Sequence, residues 1–162
     1  MIVLTPMKTV AVDPATRRAR CGGGTTWGEF DAATQAHGLA VTGGFISRTR
    51  VAGLTLGGGI GWLVRAAELT CDNLVSARVV TAVGRVLQVS EAEHPDLFWA
   101  IRGGGGNLGV VTEFEFALEP PTYRYKPSDR SACAVWRPNR WRSLRHCCLA
   151  CHWMAGVRGQ TH

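Results

Sequence analysis

The residues best suited to chemistry lie in a glycine-rich segment, residues 51–62. Five of its twelve residues are glycine, and the apolar residues threaded between them include Leu54, Leu56, Ile60 and Trp62. A flexible linker would instead be polar and rich in glycine and serine. Here the apolar side chains can anchor in a core while glycine backbone N–H groups approach a ligand closely. The segment therefore predicts a binding site for a ligand that carries phosphate or a flat ring.

Three further motifs follow this segment in order. They are Leu-Thr-Cys-Asp-Asn-Leu-Val from residue 69, Pro-Asp-Leu-Phe-Trp-Ala-Ile-Arg-Gly-Gly-Gly-Gly-Asn from residue 95, and Gly-Val-Val-Thr-Glu-Phe-Glu-Phe from residue 109. In this order and spacing the four motifs resemble the flavin-linked oxidases of the p-cresol methylhydroxylase (PCMH) and vanillyl-alcohol oxidase type. The berberine-bridge-like branch, which includes the 6-hydroxynicotine oxidases, is the most similar. The resemblance covers residues 1–118.

The resemblance implies that FAD is the cofactor. It also implies that residues 43–61, the first glycine run, wrap the pyrophosphate and one edge of the isoalloxazine, where a Cβ atom would collide with the cofactor. The start of a later strand would meet the adenosine side. The cofactor-binding candidates are therefore Gly44, Ser47, Thr49, Gly53, Leu54, Gly57, Gly58, Gly61, Val110 and Val111. Two structural alternatives stay open, namely that the glycines serve only tight turns and close packing, and that the valines only begin a buried strand.

A second glycine run, residues 103–109, contains a formal GxGxxG pattern from Gly104 to Gly109. In a dinucleotide-binding Rossmann motif a strand precedes this pattern and a helix follows it. The order predicted here is the reverse, with a helix before and a strand after. The pattern is therefore not a Rossmann fingerprint.

The sequence departs from the family at several positions. The resemblance places the flavin-attaching histidine upstream of Met1, and Ile46 stands where some members have a second attaching cysteine, so no covalent tether is expected. Arg50 replaces a usual glycine and would either crowd the cofactor or reach its pyrophosphate as a counter-charge. Glu68 also replaces a usual glycine, so a positive φ there would carry a penalty of about 1 kcal/mol.

The alternation and capping patterns predict an α+β fold, the second subdomain of a PCMH-type FAD-binding domain with an irregular C-terminal tail. Asp13-Pro14 is typical of a hairpin turn, and Thr26 with Glu29 forms a capping box that opens a helix. Ser90 with Glu93 suggests a second box, which opens a helix ending near Gly103. The predicted strands are 9–13, 17–21, 74–81, 85–89 and 110–118, and the first predicted helix is 27–37.

Charge and pattern change after residue 118. Residues 1–118 carry ten basic and ten acidic residues, whereas residues 119–162 carry eight basic and two acidic ones. We therefore divide the chain into a partial FAD-binding domain, 1–118, and an unpatterned tail, 119–162. The tail is either a divergent or disordered extension or, as we favour, peptide read in a shifted frame, because abundant Cys, Trp and Arg are unlike a selected disordered segment.

Several classes of partner and site are not expected. The basic residues of the tail follow no structural period, which argues against nucleic acid. No apolar run is long enough for a membrane span, and no signal peptide is seen, so we expect a cytoplasmic protein with reduced cysteines. A CxxCH pattern suggests haem attachment, and zinc is an alternative, but we interpret the match as accidental and expect no metal site. The residues of these patterns are Cys133, Cys147, Cys148, Cys151 and His152.

The expected function is that of the FAD-binding part of an oxidoreductase. Such an enzyme takes a hydride from a small-molecule alcohol, sugar or amine and passes the electrons to dioxygen or another acceptor. The resemblance places the substrate domain after Leu118, and residues 120–162 show none of its pattern. The catalytic base is therefore unknown, and the chain is expected to be inactive alone. The alternative is a non-catalytic decayed fragment, or one half of a split enzyme that needs a complementary N-terminal polypeptide.

Overall fold

Five antiparallel strands form one sheet in the computed structural model, which describes residues 1–120. The strands are β1 (Val10–Asp13), β2 (Arg18–Gly22), β3 (Leu74–Val80), β4 (Val86–Ser90) and β5 (Val110–Ala117). Their order across the sheet is β1-β2-β5-β3-β4, so the last strand within residues 1–120 is inserted between two hairpins. Both predicted hairpins and the predicted final strand are confirmed.

The first hairpin turns at Asp13, whose carboxylate accepts bonds from the Ala15 amide at 3.0 Å and the Thr16 hydroxyl at 2.7 Å. The hydrogen bond from the Thr16 hydroxyl, together with the backbone bonds, lowers the pKa of the Asp13 carboxyl. An aspartate that bonds the backbone two residues ahead is a common way to close a turn. Local chemistry therefore fixes the register of β1 and β2.

The central strand β5 has one apolar and one charged face. Phe114 and Phe116 are fully buried on the core side. On the opposite face Glu115 accepts a bond from the Ser76 hydroxyl at 2.6 Å and lies 3.4 Å from Arg20. Burial would raise the pKa of Glu115, but the Ser76 and arginine contacts outweigh it and hold the pKa below its ordinary value. From Glu113 to Phe116 the two faces thus alternate residue by residue, with the phenylalanines in the core and the glutamates paired with arginines on the other face.

Helix α1 (Trp27–Gln35) covers the core face of the sheet. Its Thr26–Glu29 capping box is present, as predicted: the Thr26 backbone N–H donates to the Glu29 carboxylate at 2.9 Å. Trp27 and Phe30 are both 0% exposed, and Phe30 meets Phe116 edge to face at 5.5 Å. The helix ends two residues before the predicted His37.

The segment that the sequence marks as a glycine loop is partly helical. It contains α2 (Val51–Leu56), and α3 (Val64–Ala67) follows. A 3₁₀ turn at Thr70–Asn73 then leads into β3. None of the helices in residues 1–120 is long and apolar enough to cross a membrane.

The capping box predicted at Ser90 is wrong. Ser90 is the last residue of β4, and its hydroxyl accepts from the Glu93 amide at 3.1 Å within a turn. Helix α4 (Pro95–Ile101) begins later, with Pro95 at its first position and His94 at φ 54° before it. Proline disfavours helical geometry in the residue before it and suits the first helical position, so the helix starts there.

Candidate functional site

The first half of the first glycine run, residues 43–50, is anchored on the start of α1. The Trp27 amide donates to the Thr49 carbonyl at 3.0 Å, and the Gly28 amide donates to the Ser47 carbonyl at 2.8 Å. Gly43 lies against the indole of Trp27, where a Cβ atom would sit 2.8 Å from Cε3. Backbone hydrogen bonds to the capped helix α1 thus set the path of residues 43–50, and the side chains of this loop stay at the surface.

The candidate glycines fall into two groups according to what a Cβ atom would meet. At Gly61 it would overlap the Gly43 carbonyl, and at Gly44 it would come within 3.2 Å of Leu54 Cδ2. At Gly53 and Gly58 it would meet nothing within 4 Å. The first pair is explained by packing within the chain, whereas the second pair faces open space.

The second glycine run lies against the first. The Gly105 amide donates to the Leu56 carbonyl at 2.9 Å, and a Cβ atom on Gly103 would lie 3.9 Å from the Gly58 nitrogen. Gly105 and Gly106 also face open space. These glycines are not among the candidates that the sequence predicts. Four consecutive glycines after a helix were the signal that could have identified them.

The other candidates divide between the surface and the sheet. Ser47 and Thr49 are exposed, and the Thr49 hydroxyl donates to the Ile46 carbonyl at 2.7 Å. The remaining positions are more enclosed: Leu54 packs on the core, Gly57 ends α2, and Val110 and Val111 lie on β5 opposite Val80 and Val79. Val111 is 3% exposed and its carbonyl faces Gly23. Eight candidates thus lie on the first glycine run, and the other two lie on β5.

A turn at residues 67–73, which is held together by several hydrogen bonds, supports the first glycine run. The Thr70 hydroxyl donates to the Thr42 carbonyl at 2.7 Å, and the Thr42 hydroxyl donates to the Glu68 carbonyl at 2.7 Å. Asn73 donates to the Ala67 carbonyl at 2.6 Å. Glu68 has φ 55° and ψ −161°, so the positive φ expected at this position is confirmed.

The charge of the first glycine run suits an anion. Residues 43–61 include two basic residues, Arg48 and Arg50, and no acidic one. Arg48 is exposed. The guanidinium of Arg50 donates to the Gly24 carbonyl and, at 3.2 Å, to the Thr5 hydroxyl. It is thus held by neighbouring loops, and the two roles expected for it toward the cofactor stay predictions.

Apolar side chains beside the first glycine run are unusually exposed. Phe45 and Trp62 are 55% and 57% exposed and meet edge to face, with ring centroids 4.9 Å apart. Their sequence neighbours Ile46 and Ile60 are more than half exposed as well. The indole N–H of Trp27, the side chain that lies against Gly43 and Gly44, is buried without a hydrogen-bond partner. Such a surface suits a flat, apolar ring.

The Cys71 thiol is not activated as a nucleophile. Burial, together with the neighbouring Asp72 carboxylate, raises the pKa of the Cys71 thiol above its ordinary value. A raised pKa reduces the thiolate fraction and hence the reactivity. Within residues 1–120 no group of three or more His, Cys, Asp and Glu side chains could hold a metal ion. The haem and zinc patterns of the tail lie outside the described residues.

Comparison with known proteins gives one family. A family model described as an FAD binding domain matches residues 1–90. An FAD-linked oxidoreductase of Aspergillus terreus is 46% identical over 118 residues, which make up 73% of this chain and 24% of that protein. The crystal structure of 6-hydroxy-D-nicotine oxidase from Arthrobacter nicotinovorans has a TM-score of 0.71 at 42% identity, over 72% of this chain and 26% of that chain. Xylooligosaccharide oxidase from Myceliophthora thermophila C1 has a TM-score of 0.70 at 36% identity, over 72% of this chain and 25% of that chain.

These matches confirm the resemblance drawn from the four motifs and the fold class. The chain spans about a quarter of the length of the relatives it matches. FAD is the cofactor of this family, and the geometry present fits it. Glycines open to the surface, a run without acidic residues and an adjoining apolar surface suit a ligand that combines a pyrophosphate with a flat ring.

Proposed function

Because the chain belongs to the FAD-binding domain family of FAD-dependent oxidoreductases, we propose that residues 1–118 form part of the FAD site of such an enzyme. The observation that carries the proposal is the contact between the two glycine runs, with Gly53, Gly58, Gly105 and Gly106 all facing open space. No neighbouring atom prevents a Cβ atom at these four positions. Gly58 and Gly105 have φ of 96° and 82°, which favour glycine by themselves, whereas Gly53 and Gly106 have no such backbone requirement. A cofactor that lies on Gly53 and Gly106 would account for the missing Cβ atom there.

Different parts of the site suit different parts of the FAD molecule. Exposed glycine backbone and the polar side chains of Ser47 and Thr49 suit the pyrophosphate. The apolar surface at Phe45 and Trp62 suits the isoalloxazine ring, because aromatic side chains pack well against flat rings. On this proposal the start of β5 at Val110 adjoins the adenosine side through its backbone.

The reaction proposed for the intact enzyme is removal of a hydride from a substrate C–H bond. Bound FAD supplies the hydride acceptor and then transfers the electrons to dioxygen or another acceptor. The names of the relatives, a nicotine oxidase and an oligosaccharide oxidase, support a small-molecule alcohol, sugar or amine as the substrate. The residue that would take the accompanying proton stays unassigned.

We further propose a domain boundary near Leu118, with residues 119–162 as a separate tail. Leu118 is 1% exposed, and its neighbour Glu119 pairs with Ala40 through two backbone bonds of 2.8 and 2.9 Å. This pairing closes the end of β5 against the loop after α1. The last contribution of the described residues to the core therefore comes at Leu118.

The proposal includes a requirement for further protein. The chain spans only about a quarter of the length of the relatives it matches, which supports the expectation that it does not turn over substrate alone. The second candidate function is that of a non-catalytic piece, or one half of a split enzyme that pairs with a complementary N-terminal polypeptide.

A titration of the 162-residue chain with FAD tests the proposal. Quenching of flavin fluorescence should report saturable binding, and riboflavin, which lacks the pyrophosphate, should bind more weakly. Equal affinity for FAD and riboflavin, or binding of neither, would contradict a pyrophosphate site. In a second arm, substrates of the relatives are added without oxygen and flavin absorbance is recorded. Sustained reduction would refute the requirement for further protein.

A further inference from the structure

Arg102 stands at the junction between α4 and the second glycine run. Its Nε donates to the Cys71 carbonyl at 3.1 Å, and its terminal nitrogen lies 3.5 Å from the Asp72 carboxylate. The guanidinium also lies 5.4 Å from the centre of the Phe98 ring. The side chain is only 27% exposed, so these contacts hold it in one orientation.

The residue that Arg102 contacts is bonded in turn to the first glycine run. The Cys71 amide donates to the Gly58 carbonyl at 2.9 Å, and the Thr70 amide donates to the Gly59 carbonyl at 3.0 Å. The backbone of Cys71 therefore connects Arg102 to Gly58. On the other side, Arg102 is followed directly by Gly103, whose Cα faces Gly58.

We infer that Arg102 is a positioning residue for the FAD site, because through the Cys71 carbonyl it fixes the spacing between the two glycine runs. The inference rests on the proposed function, since that spacing matters for the cofactor only if both runs contact it. Arginine suits the role because its planar guanidinium bonds a carbonyl and a carboxylate while stacking on a ring. Lysine keeps the charge but has a single nitrogen and cannot reproduce this geometry.

The variants Arg102→Lys and Arg102→Gln test the inference in the 162-residue chain. The matched control is Arg78→Lys, because Arg78 pairs with Glu113 at 3.3 Å on the exposed face of the sheet. Amide hydrogen exchange without FAD is measured first. We expect the Cys71 and Gly105 amides to exchange about tenfold faster in both Arg102 variants, while β3 and β5 amides keep wild-type rates. We also expect FAD to bind about tenfold more weakly, with no change in the control.

Each outcome decides one question. Wild-type exchange at the Cys71 and Gly105 amides in Arg102→Lys would overturn the inference. Equal acceleration throughout the sheet would also overturn it, because Arg102 would then be a general stabiliser of the fold. If wild-type protein binds no FAD, the proposed function fails for this chain, whereas the exchange experiment still decides the role of Arg102.

Discussion

Alanine substitutions at Gly53 and Gly61 should change stability in opposite directions. Gly53 lies inside α2 at a negative φ, and an added Cβ would meet nothing within 4 Å. Alanine should therefore stabilise the fold by about 0.5–1 kcal/mol, since glycine loses more backbone entropy in a helix. At Gly61 the added Cβ would lie 2.8 Å from the Gly43 carbonyl carbon and would overlap its oxygen. Two backbone segments would have to separate, at a cost of about 1–3 kcal/mol.

Urea unfolding measured by far-UV circular dichroism checks the difference. The two variants should differ in unfolding free energy by roughly 1.5–4 kcal/mol, with unchanged dependence on urea concentration. An exposed position in the β3–β4 turn offers a neutral control, Val83→Thr, because Val83 is 79% exposed. If both glycine variants are destabilised alike, the division of glycines into packed and open ones is wrong.

The same variants separate packing from cofactor contact. Gly53→Ala should bind FAD at least about tenfold more weakly despite its greater stability, because the methyl group would occupy space that the proposal gives to the cofactor. Val83→Thr should bind FAD as the wild type does. A Gly53→Ala chain with undiminished FAD affinity would place the cofactor elsewhere.

Three further predictions concern single residues. Glu68→Gly should stabilise the fold by about 1 kcal/mol in thermal or urea unfolding, because φ 55° with ψ −161° strains any residue that has a Cβ atom. Lower stability of this variant would show that the Glu68 side chain stabilises the fold by more than its backbone strain costs. Burial raises the pKa of Asp31 from 3.8 to about 6. Between these two pH values the folded chain keeps the Asp31 proton while the unfolded chain releases it, so the free energy of unfolding falls as pH rises through this window. Asp31→Asn should therefore stabilise the chain by about 1–2 kcal/mol near pH 7 and by nothing below the pKa of the unfolded chain, and an equal gain at both pH values would contradict this cause. Burial, with a contribution from Glu113, raises the pKa of the Cys21 thiol to about 12. Peptide mass mapping after alkylation near pH 8 should therefore find Cys21 unmodified until the protein is unfolded. Rapid labelling of Cys21 in the folded protein would refute this prediction.

The elements that were predicted correctly depend on contacts between residues close in the chain. Asp13 closes its turn through Ala15 and Thr16, and the capping box joins Thr26 to Glu29. Where local signals conflicted, prediction failed. Ser90 and Glu93 have the residue types of a capping box, but they bond within a turn, and Pro95 decides where the helix begins.

The candidate site depended more on distant residues. The glycines of both runs are visible in the sequence, but spacing along the chain does not reveal which of them face open space. Gly61 is required by Gly43, eighteen positions away, whereas Gly53 has no such neighbour. The sequence likewise does not reveal that the Arg50 guanidinium bonds Gly24 and Thr5, which lie 26 and 45 positions before it in the chain.

By itself the sequence determined the family, the cofactor and the types of secondary structure, because motif order, alternation and capping are properties of neighbouring residues. Only the tertiary structure decided the strand order β1-β2-β5-β3-β4 and the meeting of Gly58 with Gly103. It also decided the position of Arg102 between the two glycine runs. The physical reason is that these contacts join residues separated by dozens of positions, and burial of the shared core around Trp27, Phe30 and Phe116 selects them.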